Sequence, residues 1–193
     1  MFSIPFKTSS GASWVPIESW LLSEGRLFIR DEINEESANE FIQKLMYLER
    51  EKPETPVKIY INSRGGEVNA GKLIYDAIKS MKFDADIICT GMAASMAAII
   101  LAGGKKGRRF ILPHSEVMIH EPYVAGGFGG SADKIQRTAE SILKNKRESV
   151  ALLSADTGRS KEEVEKAMSF DNYMSAEEAV EFGICDRIIM DLG

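Results

Sequence analysis

The chain is poor in the residues that carry redox and metal chemistry, with 2 Cys and 2 His among 193 residues. Cys89 and Cys185 lie in apolar stretches, so neither a disulfide framework nor a four-cysteine zinc site can be built. Acid–base chemistry run through a histidine near neutral pH has two candidates, His114 and His120. Basic charge is also in deficit, with 24 Lys+Arg against 29 Asp+Glu and a formal net charge of -5. That argues against nonspecific nucleic-acid binding, which needs a basic face to neutralise phosphates. Long apolar runs are missing as well. The most apolar one, Met96 to Ala102, is far too short to span a bilayer. Residues 1–7 have neither a basic n-region nor a long apolar h-region, so a cytoplasmic protein is expected.

What remains is a composition suited to folding: 44% hydrophobic and 27% charged residues supply a core and a solvated surface. The length favours a single domain over residues 1–193. Residues 1–25 read as irregular, with a flexible patch from Thr8 to Ala12. Strand patterns follow at 26–30, 57–61, 86–90, 109–112 and 117–120, and a closing strand at 185–189. Helical patterns occupy 34–51, the segment after Gly65-Gly66, and 95–101. The second of these has Leu73, Ile74, Ala77, Ile78 and Met81 as its expected apolar face. A long helix is expected over 131–154, and two capping boxes, Ser160-x-x-Glu163 and Ser175-x-x-Glu178, mark further helix starts. The strand–helix alternation indicates an α/β fold with largely parallel strands.

Four stretches hold chemistry-bearing residues. Gly65-Gly66, after a strand, can bring backbone N–H groups close to an oxyanion, although a tight turn alone explains the pair. The pattern there is neither G-x-x-x-x-G-K-[ST] nor G-x-G-x-x-G, so phosphate and dinucleotide readings lack a motif. Ser95, between a strand and a helix, is a candidate nucleophile with a free backbone N–H beside it, or simply an N-cap. His120 ends an apolar strand, where its ring can be held in one orientation, while His114 sits in a turn. No cysteine or third histidine is near enough in sequence to complete a metal site, so no metal is expected. Asp171, just before a capped helix, could orient a histidine as the third member of a Ser-His-Asp triad, or could form the turn.

Taken in order, Ile61-Asn-Ser-Arg-Gly-Gly66, Ala93-Ala-Ser-Met96, His114-Ser-Glu-Val-Met-Ile-His-Glu-Pro122, Asp171-Asn-Tyr-Met-Ser-Ala-Glu-Glu-Ala179 and Gly183-Ile-Cys-Asp186 resemble the proteolytic subunit of the ATP-dependent Clp protease (ClpP) family. The resemblance runs from about Trp20 to Ile189. It implies a ClpP/crotonase-like α/β fold of repeated β-β-α units, with a protruding helix-and-strand handle at about 123–154 and a divergent axial segment at 1–20. It also implies Ser95 as nucleophile, His120 as general base and Asp171 as orienting carboxylate. The N–H groups of Gly66 and Met96 would form the oxyanion hole, and Gly126, Gly127 and Phe128 would bind an extended substrate by strand addition.

The family assembles as two stacked seven-membered rings around a proteolytic chamber. AAA+ unfoldases of the ClpX, ClpA or ClpC type feed it unfolded polypeptide. ATP is used by that partner, and no cofactor is expected in the chain itself. A divergent paralogue working beside a second ClpP chain fits the same pattern. Arg64 stands where the family has Pro, His114 where it has Asn, and Glu121 where it has Gln. A carboxylate facing a histidine favours its protonated form, but alternation along a continued strand points Glu121 away from His120. Tyr60 keeps an aromatic position associated with unfoldase docking. Rival readings are a catalytically weak or regulatory ring subunit, and a crotonase-like acyl-CoA enzyme, which would not need Ser95.

Overall fold

The computed structural model describes residues 2–8, 11–52, 54–124, 126 and 129–192. The amino-terminal stretch expected to be irregular is instead a hairpin of β1 (Ser3–Thr8) and β2 (Gly11–Pro16), followed by α1 (Ile17–Ser23). Its strands pair antiparallel from Ser3 opposite Pro16 to Thr8 opposite Gly11. Trp14 is 72% exposed, so the hairpin is held by its backbone ladder rather than by a core.

The main sheet contains β3 (Arg26–Ile33), β4 (Val57–Gly66), β5 (Ala85–Ala94), β6 (Arg109–Ile111) and β9 (Arg187–Ile188) in that order. All of these neighbours are parallel, as strand–helix alternation requires. β5 divides one edge between two partners. Ile87–Cys89 pair with β6, and Met92–Ala94 pair with β7 (Glu116–Ile119). β8 (Asn172–Met174), not anticipated in the sequence, then adds antiparallel to β7. The divided edge lets β7 and β8 extend the same sheet beside the end of β5.

Among the described residues, five helices surround this frame beside α1 and the short α4 (Met96–Ala102): α2 (Glu35–Glu51), α3 (Val68–Ser80), α5 (Ala132–Thr157), α6 (Lys161–Ala167) and α7 (Ala176–Phe182). Both expected capping boxes are formed, at Ser160/Glu163 and Ser175/Glu178, and a third closes the start of α2 through Asn34 and Ser37. On α3 the face turned inward is Ala70, Ile74 and Ile78, with Tyr75 beside it. Leu73, expected on that face, is 41% exposed, because one position before Ile74 lies about 100° round the helix.

The centre of the core is α4 (Met96–Ala102), all seven of whose residues are buried. Its alanines let the helix lie close to β4 and β5, in one buried cluster with Ile59, Ile61, Ile87 and Ile111. A smaller cluster of Tyr60, Ile88 and Phe110 forms separately. By contrast, the buried residues of α5 are confined to its last third: Ser149, Val150, Leu153 and Asp156. The turns before them stand away from the core, and Gly158, left-handed at φ 83°, ends the helix three residues later than the spacing predicts.

Candidate functional site

The site begins with a strained serine. Ser95 has φ 56° and ψ -122°, a conformation that costs about 1–3 kcal/mol for a residue with a side chain. Three neighbours hold it there. Its N–H donates to the Met118 carbonyl of β7 at 2.8 Å, and its own carbonyl accepts the Ala98 N–H of α4 at 3.0 Å. Gly65 packs against it so closely that a Cβ at 65 would lie 2.8 Å from the Ser95 Cβ and 2.6 Å from the Ala94 carbonyl oxygen. Gly65 itself adopts φ 89°, which favours glycine.

The serine hydroxyl meets His120, the residue immediately after β7. Ser95 Oγ and His120 Nε2 are 2.9 Å apart. On the other side of the ring, His120 Nδ1 lies 3.1 Å from Asp171 Oδ1, at the start of β8. The antiparallel pairing of β7 with β8 sets Ile119 opposite Asn172, which places the histidine and the carboxylate side by side. Tyr123 packs edge-on to the imidazole, with ring centroids 5.4 Å apart. The histidine side chain is 12% exposed and Asp171 65% exposed, so the carboxylate remains in contact with solvent.

The glycine pair does not form a simple turn. β4 continues through both residues, and Gly66 pairs with Ile33 on β3. A Cβ at 66 would collide with the Ile33 backbone. Ser63, buried beneath the pair, was not singled out in the sequence: its hydroxyl donates to the Asp31 carbonyl and accepts the Gly65 N–H at 3.1 Å. Met96 N lies 3.0 Å from the position a Gly65 Cβ would take, so the glycine strand and the head of α4 are in direct contact. As the first residue of α4, Met96 has no carbonyl four residues earlier within the helix to accept its N–H.

These groups open into a groove of about 1230 Å³, whose lining includes Gly65, Gly66, Ser95, His120 and Asp171. Arg64 lines it as well, with its side chain exposed. His114 is exposed at the opposite end of β7, and the structure does not bring it to the other site residues. Tyr60 lies outside the groove, buried and stacked on Phe28 with centroids 5.2 Å apart. Gly126 is exposed, while Gly127 and Phe128 lie outside the described residues.

Glu121 turns away from His120, as alternation predicts. Its carboxylate is 2.9 Å from Lys146 of α5, which also lies 3.5 Å from Glu165 of α6. The hydrogen bond to Glu121 is the main reason the Lys146 ammonium titrates above the ordinary lysine range. The Glu121 N–H donates to the Met168 carbonyl at 2.8 Å. Nothing in the local sequence indicates Lys146 as the tether for the segment after the histidine.

A serine hydroxyl, an imidazole and a carboxylate joined in series, on a strained junction between a parallel strand and a helix, are the arrangement used by hydrolases that activate a serine. The family model for Clp protease matches residues 9–191, and the chain belongs to the Clp protease family. It is a protease of the ClpP type, with the ClpP/crotonase-like α/β fold. Membership also decides against the acyl-CoA reading. Among the described residues, no helix is long and apolar enough to cross a membrane.

Proposed function

We propose that the chain is a serine endopeptidase in which Ser95, His120 and Asp171 carry out peptide-bond hydrolysis. The observation that supports this most directly is the hydrogen-bonded series from Ser95 Oγ through His120 to Asp171. In the tautomer this series needs, His120 Nδ1–H donates to Asp171 and Nε2 accepts the Ser95 proton as Oγ attacks the scissile carbonyl. Negative charge then develops on the carbonyl oxygen, where the N–H groups of Gly66 and Met96 are the donors. His120 next delivers the proton to the departing amine, leaving an acyl group on Ser95. Water, deprotonated by the same imidazole, releases it.

Family membership supports the following wider setting. Subunits assemble into two stacked heptameric rings that enclose the groove. A Clp-type AAA+ ATPase supplies unfolded polypeptide, so the chain needs no nucleotide or other cofactor of its own. The face of the exposed α5 turns directed away from the groove, together with the glycine segment 126–130, makes the contacts between rings, and the glycine segment pairs with the substrate backbone. Backbone pairing makes weak demands on substrate sequence, which suits protein quality control in a cytoplasmic compartment.

The test is labelling by a fluorophosphonate probe, which reacts with an activated serine. Wild-type rings should be labelled and Ser95→Ala rings should not. Labelling that survives the substitution, or that never occurs in assembled rings, refutes the proposal. Addition of candidate unfoldases to a peptide and folded-protein cleavage assay then identifies the partner.

A further inference from the structure

Beside the groove lies a second cavity of about 330 Å³, which shares Val68, Pro122 and Tyr123 with it. Its other wall is one face of α5. Lys134, Arg137, Thr138, Ser141, Ile142 and Asn145 are spaced i, i+3, i+4, i+7, i+8 and i+11, so they stack along one side of the helix. Tyr123 connects the two spaces, since its ring touches His120 and its side chain lines both. A polypeptide lying across Ser95 therefore has a side pocket within reach.

The lining charge changes sign between the two. Asp31, Glu32, Glu67 and Asp171 line the groove, with Arg64 as its cationic residue. The side pocket has two cations, Lys134 and Arg137, and no carboxylate in its lining. Among the described residues, neither cation is in an ion pair. Val68, Pro122, Tyr123 and Ile142 supply apolar walls at the base, and the α5 periodicity sets Lys134 about 12 Å along the axis from Ile142. An entering side chain would thus have apolar contact along its stem and a positive field further out.

We propose that this side pocket is a subsite for an acidic residue of the substrate, with Lys134 and Arg137 as the specificity-determining pair. The proposal rests on the peptidase reading given above. Backbone pairing leaves sequence preference weak elsewhere along the chain, so a charged pocket becomes the main source of discrimination. Exposed charge pairs are individually weak, so two cations together correspond to a preference of about two- to thirtyfold.

Internally quenched decapeptides, identical except for a single Glu, Gln or Lys placed at each position in turn, test this on the full assembled chain. At one position Glu should be cleaved about two- to thirtyfold faster than Lys, measured as kcat/KM at low ionic strength. That preference should largely collapse in about 1 M salt, where the screening length is about 3 Å. In a Lys134→Glu, Arg137→Glu double variant the preference at the same position should invert to Lys. The readout is a ratio within each enzyme, so lowered overall activity does not obscure it, and the salt experiment needs no variant. Equal rates for all charges at every position would overturn the subsite alone. A preference that neither salt nor charge reversal alters would do the same. Failure to cleave any of the peptides would overturn the peptidase reading, and the subsite with it.

Discussion

At position 65 the identity of one residue decides whether the serine can be presented at all. Gly65 at φ 89° sits against Ser95, and the buried Ser63 hydroxyl fixes it by accepting its N–H. Gly65→Ala adds a methyl group 2.8 Å from the Ser95 Cβ, so the serine or the strand must shift. A displacement of about 1 Å in a catalytic group costs about 100-fold in rate. Gly65→Ala should therefore lower peptide cleavage at least that far while the protein still assembles, as read by paired rate and light-scattering measurements. Ser63→Ala removes two hydrogen bonds, one to the Asp31 carbonyl and one from the Gly65 N–H, each worth about 1 kcal/mol, and leaves the backbone free of collision. Its expected loss is nearer tenfold, and a loss equal to that of Gly65→Ala would show that Ser63 does more than hold the strand. The role proposed for Met96 uses its backbone N–H alone, but its side chain also packs onto Gly71 of α3 and is buried. Met96→Leu should accordingly cost under about 1.5 kcal/mol, whereas Met96→Ala opens a cavity and costs about 2–5 kcal/mol. Thermal unfolding of both variants checks the difference.

At the level of elements, the long helix serves two neighbourhoods through one residue. Lys146 on α5 joins Glu121, which follows the histidine, to Glu165 on α6. Because its folded-state pKa is raised, Lys146 contributes stability that is fully present below the ordinary lysine value of about 10.4. That contribution is lost as pH rises through the higher folded value. Lys146→Met should therefore be less stable than wild type at pH 8, with the gap closing in the alkaline range, as followed by circular dichroism. A gap constant to pH 12 would mean that the loss is one of packing alone.

The same helix shows what the sequence made legible and what it hid. Strand–helix alternation and the caps at Ser160 and Ser175 were local patterns, and each appears in the fold. The hairpin at 3–16 escaped notice because its polar, glycine-containing stretch has no apolar periodicity, and its ladder is satisfied by backbone groups. β8 is three residues long and exists because β7 offers it an edge. Lys146 was invisible because 25 residues separate it from Glu121, and only packing brings them together. The proposed Ser95, His120 and Asp171 site was legible for the opposite reason, since each stands at an element end that its own motif marks.

Across the whole molecule, one buried ion pair gathers the ends of elements that the core alone would leave independent. Arg109, 3% exposed in β6, makes a two-pronged contact with Asp186, at 2.6 Å and 3.1 Å. Its remaining guanidinium nitrogen donates to the carbonyls of Ala102, Asp156 and Gly183, at the ends of α4, α5 and α7. Asp186 in turn accepts the backbone N–H groups of Gly107 and Arg109. Burial alone would raise the Asp186 carboxyl, but the Arg109 hydrogen bonds and charge outweigh it and hold the pKa below the usual carboxylate range. A depressed folded-state pKa means that the contribution is complete above about pH 4 and is lost as pH falls through the folded value. Asp186→Asn keeps the shape but leaves the guanidinium buried without its counter-charge, a change that typically costs about 3–5 kcal/mol. At neutral pH the variant should melt several degrees below wild type. As pH falls below about 4 the gap should begin to narrow, because wild type then starts to approach the same uncharged partner. The narrowing separates charge from shape: a melting difference that stays unchanged throughout the acid range would show that the pair holds these helix ends by geometry, with its charge contributing little.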